Sequence, residues 1–204
     1  MFCAGGDVTT FAQAGDNVNE LVRNITSFLH AAIARFQRMN APLVIAVNGT
    51  AAGAGMSMML TGDIVVAAAS AKFTMAYTGI GMSPDGSSTF FLPRIVGTLK
   101  AKEMMLLNPR YSADEAKALG LVTEVVADEQ VLVRAQAIAS QLAKGPTAAY
   151  GEVKRLLVDS FSAGLETQME LETRAIGGLA KFTRDGREGI TAFVEKRKPD
   201  FRGN

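Results

Sequence analysis

Five consecutive apolar residues, Leu43-Val44-Ile45-Ala46-Val47, stand between Pro42 and Asn48-Gly49. A run so short and so sharply bounded predicts a strand rather than a helix. It shows no polar alternation, so the strand is expected to be fully buried, as strands of parallel sheets are. The next residues, 51–60, are small and apolar and read as a helix opening at a glycine-rich turn. Gly62-Asp63 punctuates, and residues 64–68 read as a second buried strand, with Lys72-Phe73-Thr74-Met75 as a short further one. Strand, helix, strand in that order is a βαβ-like unit, and it predicts an α/β fold around a parallel sheet.

Upstream, Val18, Leu21, Val22, Ile25, Phe28, Leu29, Ala32, Ile33 and Phe36 recur at helical spacing, with Asp16 placed to cap the helix. Their stripe is wide enough to bury against a core. After Pro93 the chain changes character. Residues 98–107, 112–119, 129–143, 147–158, 165–179 and 184–196 all read as helices, and Ser112-Ala-Asp-Glu115 has the form of a capping box. Residues 121–126 are a lone strand candidate among them, and Lys198-Pro199 stops the last helix. The expected organisation is a core over residues 1–97 followed by a mostly helical region over 98–204.

Several function classes fall away on composition. A net charge of +1 gives no basic excess for a nucleic-acid partner. The apolar runs are far shorter than the roughly 20 residues of a spanning helix. Met1 is followed by Phe-Cys-Ala-Gly-Gly-Asp, without the basic start and apolar core of a signal peptide, so the cytoplasm is the expected location. Cys3 is the sole cysteine, which excludes an internal disulfide framework. His30 is the sole histidine, and no carboxylate cluster has ligand spacing, so no metal site is expected. His30 itself, next to Leu29 in the helical pattern, reads as an ordinary helical residue.

Three stretches could carry chemistry. Ala4-Gly5-Gly6-Asp7 can turn sharply and expose backbone N–H groups, although a Gly-Gly pair alone is equally a plain turn. Asn48-Gly-Thr-Ala-Ala-Gly-Ala-Gly55 joins a buried strand to a helix, where free N–H groups gather. Its glycines fall at 49, 53 and 55, which matches neither a dinucleotide fingerprint nor a nucleotide P-loop. Close helix packing would use the same small residues. Gly81-Met-Ser-Pro-Asp-Gly-Ser-Ser-Thr89 contains a turn signature, and Asp85 there is either a helix cap or a general base.

Taken together, Phe2-Cys-Ala-Gly-Gly-Asp7, Ala46-Val-Asn-Gly-Thr-Ala-Ala-Gly-Ala-Gly55, Asp63-Ile64, Phe73 and Leu92-Pro-Arg-Ile-Val-Gly97 resemble the enoyl-CoA hydratase/isomerase (crotonase) superfamily. The likeness continues through Ser112-Ala-Asp-Glu-Ala-Lys-Ala-Leu-Gly-Leu-Val122 to Glu188-Gly-Ile-Thr-Ala-Phe-Val-Glu-Lys-Arg-Lys-Pro-Asp-Phe201, and is strongest to isomerase-type members. It implies a crotonase-like ββα spiral core with a C-terminal helical trimerisation region, and assembly as a homotrimer or a dimer of trimers. It implies an acyl-CoA thioester as substrate, with coenzyme A entering as part of that substrate rather than as a separate cofactor.

The resemblance assigns two oxyanion-hole N–H groups to Gly6 and Ala54, donors aimed at a thioester oxygen that gains charge as an enolate forms. It makes Ala4, Gly5 and Asp7 contacts to the ligand, partly through backbone groups that seat the adenine. Hydratases of the family activate water with two glutamates; Ser57 and Tyr77 stand at those positions here, as pocket-lining residues without a carboxylate. Asp85 matches the acid/base of some double-bond isomerases, a task for which one carboxylate suffices. A dehalogenase reading is weaker, because its nucleophilic aspartate aligns nearer Ser83 and the chain has no tryptophan. Met56, Met58, Met59, Met75 and Met82 could form an adaptable acyl surface or simply pack the core. Lys196-Arg197-Lys198 with Phe201 resembles the tail that reaches the CoA adenine-phosphate region, Lys198 and Phe201 being the contacts implied.

The family begins with further strands before its first oxyanion motif, whereas Met1 stands almost on that motif here. Sheet strands and part of the CoA pocket are therefore expected to be missing from these residues. The leading expectation is an enoyl-CoA double-bond isomerase. The alternatives are a hydratase or other crotonase reaction, and a CoA-binding scaffold without turnover.

Overall fold

The computed structural model describes residues 1–204. Contacts divide it into two compact units, Met1–Phe36 with Leu43–Gln136, and Gln37–Pro42 with Ala137–Asn204.

The first unit begins with a parallel bridge from Cys3 to Ala51 and a one-and-a-half-turn helix α1 (Val8–Gln13). Asp7 caps α1, accepting from the N–H groups of Thr9 (3.0 Å) and Thr10 (3.3 Å) and from Thr10 Oγ1 (2.7 Å). Asp16 does not cap the next helix as expected. Gly15, at φ +53, turns the chain, Asp16 sits inside a 3₁₀ turn (Gly15–Asn17), and α2 (Val18–Arg38) starts beyond it. The apolar stripe of α2 is also not a core face, since Ile33 alone is buried; Val18, Val22, Ile25 and Leu29 of it line a cavity described below.

Strand β1 (Val44–Val47) is followed by β2 (Ala51–Ala52), α3 (Ala54–Met59), β3 (Ile64–Ala68) and β4 (Lys72–Thr74). The expected helix over 51–60 is thus shorter at its start. Gly53 adopts φ +54, and only after that bend does the backbone turn helical. Further on come α4 (Ser88–Val96), α5 (Thr98–Leu107), β5 (Tyr111–Ser112), α6 (Ala113–Ala118) and β6 (Glu124–Val126). The expected capping box is present: Glu115 N–H donates to Ser112 Oγ (3.3 Å), and Ser112 N–H returns to the Glu115 carboxylate (2.7 Å).

One sheet has the order β1-β3-β6, all parallel, with Val44 opposite Ile64 and Val66 opposite Glu124. The parallel pairing predicted for residues 43–47 and 64–68 is therefore what forms. Burial holds for β3 beyond its first residue, with Val66, Ala67 and Ala68 completely covered and Ile64 half-buried. It fails for β1, in which only Ile45 and Val47 are buried, because β1 is an edge strand. The second sheet runs β2-β4-β5, with β5 antiparallel to β4. Strands β5 and β6 and helices α4 to α6 complete this unit. Residues 98–136 pack within this unit, where β5 and β6 supply strand partners to β4 and β3.

After α7 (Val131–Leu142), the second unit contains α8 (Thr147–Asp159), α9 (Leu165–Phe182), α10 (Arg184–Val194) and the terminal segment. Phe201 lines an apolar cavity together with Pro146, Ala148, Leu179 and Ile190. Asp185, only 2% exposed, anchors that segment by accepting from the N–H groups of Arg202 (2.8 Å) and Gly203 (2.7 Å). Asp185→Ala leaves both donors without their charged acceptor in a covered site. A loss of about 2 kcal/mol in unfolding free energy is expected, read by urea titration.

The last turns also set an acid limit. Arg197 grips Glu188 with both guanidinium nitrogens (2.6 and 3.0 Å), and the Asp200 N–H adds a bond of 2.8 Å. These bonds, Arg197's first, hold the Glu188 carboxyl down at about 2, below its ordinary 4.5. A depressed folded value means stability that is complete above about pH 4.5 and lost as pH falls toward 2. In Glu188→Gln that part of the acid slope of Tm should disappear.

Candidate active site

A cavity of about 570 Å³ opens in the first unit, a size suited to a small-molecule ligand. Its floor is the meeting of the two glycine-rich turns. Gly5, at φ +98, approaches so closely that an added Cβ would lie 3.0 Å from the Ala52 carbonyl oxygen and 3.1 Å from the Ala54 nitrogen. Gly6 has no room either, as a Cβ there would stand 2.9 Å from the Phe11 ring. At Gly55 a Cβ would run into the Cys3 carbonyl. Small residues are needed here because two backbone segments touch, which is the physical content of the Gly/Ala pattern.

Neither the Gly6 N–H nor the Ala54 N–H donates to another group of the chain. Ala54 is the first residue of α3, so its N–H lacks an intrahelical acceptor by construction. Ala4, Gly5, Gly6, Gly53 and Ala54 all line the cavity. Two unengaged donors from adjoining turns are what an anionic oxygen requires.

The opposite wall comes from α2 through Val18, Val22, Ile25 and Leu29, with Ile80 and Met82 beside them. Among the lining residues Asp85 supplies the sole carboxylate, and Tyr77 is the other titratable group. Asp85 sits on the turn before α4. It does not cap that helix with its carboxylate; its carbonyl accepts from Ser88 Oγ (2.9 Å) and from the Tyr77 hydroxyl (3.3 Å). Its carboxylate instead meets His30, whose Nε2 lies 2.8 Å from Oδ1. His30 is thus more than an ordinary helical residue. It lies four residues after Thr26, a cavity-lining position on the same face of α2, and that spacing was the available signal.

Tyr77 lines the cavity, whereas Ser57 does not. Ser57 is fully buried behind it, its Oγ 2.8 Å from the Tyr77 hydroxyl and 3.3 Å from the Gly53 carbonyl. Burial pushes the Tyr77 phenol up, partly offset by the Ser57 hydrogen bond. Gly86, at φ +62, packs over Ser57, and a Cβ on it would stand 3.0 Å from the serine Cβ. Asp7 lies outside the cavity lining, its carboxylate occupied as the cap of α1. Of the methionines, Met56, Met59 and Met75 are core, while Met82 faces the cavity. Lys198 and Phe201 belong to the second unit. Lys198 is exposed, Phe201 lines an apolar cavity of that unit, and Arg197, just before Lys198, is ion-paired to Glu188 and Glu195.

Known proteins with the same pattern give this arrangement a family. The sequence model of the family described as enoyl-CoA hydratase/isomerase matches residues 1–204. The chain is 38% identical over 203 residues to 1,2-epoxyphenylacetyl-CoA isomerase of Escherichia coli, covering 99% of this chain and 77% of that protein. It is 34% identical over 203 residues to 2,3-dehydroadipyl-CoA hydratase of the same organism, with 100% and 77% covered. The crystal structure of an enoyl-CoA hydratase from Polaromonas sp. JS666 superposes with a TM-score of 0.92 at 34% identity, over 98% of this chain and 77% of that one. The α/β fold is therefore crotonase-like, and the chain belongs to the enoyl-CoA hydratase/isomerase family.

Proposed function

We propose that this protein is an enoyl-CoA double-bond isomerase, in which Gly6 and Ala54 hold the thioester oxygen and Asp85 carries the proton. The observation that bears most weight is that Asp85 is the sole carboxylate lining the cavity. Asp85 takes a proton from the carbon next to the thioester carbonyl of a 3-enoyl-CoA. The electron pair moves onto the carbonyl oxygen, between the two N–H groups, as the dienolate. Asp85 then returns the proton to C4, and the double bond ends between C2 and C3. No atom of water enters.

Addition of water needs a base for the water and an acid for the α-carbon. Ser57 and Tyr77, bonded to each other, offer hydroxyls in place of two carboxylates. A hydratase reading has in its favour the hydratases among the similar proteins, 2,3-dehydroadipyl-CoA hydratase and the Polaromonas enoyl-CoA hydratase among them. The assay that separates the two follows one 3-enoyl-CoA and one 2-enoyl-CoA by absorbance at the enoyl thioester band. Conversion of the first with little loss of the second supports the isomerase. Rapid water addition to the second overturns it, and binding without turnover of either points to a scaffold. The same reading takes coenzyme A as part of the substrate, with a homotrimer or dimer of trimers in the cytoplasm. Exposed Ile176, Phe182, Phe193 and Val194 on α9 and α10 support assembly.

A further inference from the structure

We propose that His30 is a positioning residue that aims the Asp85 carboxylate, an inference that rests on Asp85 being the proton carrier. The backbone at Asp85 is tethered from two sides, by Ser88 Oγ and by the Tyr77 hydroxyl, but both bonds reach only its carbonyl. Rotation about its side-chain bonds is left to one contact, the hydrogen bond from His30 Nε2 to Oδ1 at 2.8 Å. His30 stands on the 21-residue helix α2, and Leu29 beside it lies against Gly86, so the imidazole comes from a firm support.

The two side chains are 51% and 37% exposed. A pair this open contributes little to folding stability, so the contact His30 makes with the one carboxylate of the cavity lining needs another reason. With Nε2–H on Oδ1, Oδ2 is left without a protein partner, and it is the oxygen free to meet the substrate. When Oδ2 takes up the proton, Oδ1 remains an acceptor, so the His30 bond persists through both halves of the transfer. Without it the carboxylate samples several rotamers in water, and the fraction aimed at the reacting carbons falls.

The test compares wild type, His30→Ala, His30→Gln and Asp85→Asn on one 3-enoyl-CoA, with kcat, KM and Tm measured for each. His30→Ala should lose kcat by about 100-fold with KM and Tm unchanged, in line with the rate cost of slight misplacement. His30→Gln, whose amide N–H reaches a similar point, should recover most of that loss. Wild-type kcat in His30→Ala beside an inactive Asp85→Asn overturns the positioning role alone. Full activity in Asp85→Asn overturns the proton-carrier reading, and this inference with it. Equal losses in both His30 variants with a lowered Tm would mean a structural role only, and would also refute the proposal.

Discussion

Asp85→Asn is expected to slow isomerisation of a 3-enoyl-CoA by about 10³-fold or more, within the range assigned to general acid–base groups. The substitution is chosen for what it keeps. Asparagine has the shape of aspartate, its side-chain oxygen can still accept from His30 Nε2, and the backbone bonds from Tyr77 and Ser88 do not involve the side chain. The folded state should therefore be retained, with Tm close to that of wild type. What is lost is the capacity to accept a proton. The N–H groups of Gly6 and Ala54 remain, so the thioester still binds and KM changes little. A fall confined to kcat is the signature of a group acting on the transition state rather than on binding. A second reading of the same variant uses deuterium oxide. Wild type should exchange the α-hydrogens of a substrate analogue that can enolise, and Asp85→Asn should not. Undiminished exchange in the variant would remove Asp85 from the chemistry, since no other carboxylate lines the cavity.

Much of the scaffold was legible because it is written in local patterns. Residues 43–47 and 64–68 have the length and bounds of buried strands, and they pair in parallel. Ser112 and Glu115 sit at capping-box spacing and form the box. Two-residue strands such as β2 and β5 have no period to read, and they exist only because β4 lies between them. The face of α2 was misread for a different reason. A helix that lines a ligand cavity and one that packs on a core show the same apolar spacing, and only the tertiary structure distinguishes them. Asp7 caps α1, whereas the turn at Gly15 puts Asp16 inside a 3₁₀ turn instead of at the start of α2.

The candidate site divides along the same line. The glycine turns announce themselves through composition, while their approach to each other depends on the Cys3–Ala51 bridge, which no short window contains. His30 and Asp85 are 55 positions apart, and a lone histidine gives no sign of its partner at that distance. Ser57 was expected at the cavity surface because the family resemblance matches it to a catalytic glutamate of hydratases. A hydroxyl is short enough to be covered by Tyr77 and Gly86, and it is fully buried.

Ala54→Pro should be nearly as damaging as Asp85→Asn, and it tests the opposite end of the reaction. Ala54 is the first helical residue of α3, with Gly53 as the N-cap. Proline is well tolerated at that place in a helix, because the N–H it removes has no intrahelical acceptor. Helix α3 should therefore persist while one of the two unengaged donors is deleted. Loss of a single oxyanion donor costs about 10² to 10³ in rate, and that is the fall expected in kcat. Ala54→Gly is the control. It keeps the N–H and adds no bulk, so its kcat should stay within a few-fold of wild type. A folded Ala54→Pro protein with undiminished turnover would show that the oxygen is held elsewhere. The two sites can also be linked through a double variant. Asp85 removes the proton only if the oxygen can accept the resulting charge, so the two groups act on one transition state. Their losses should combine to less than the product of the single effects, as is found for catalytic groups that work as a unit. Full multiplicativity would mean that the two groups act independently of each other.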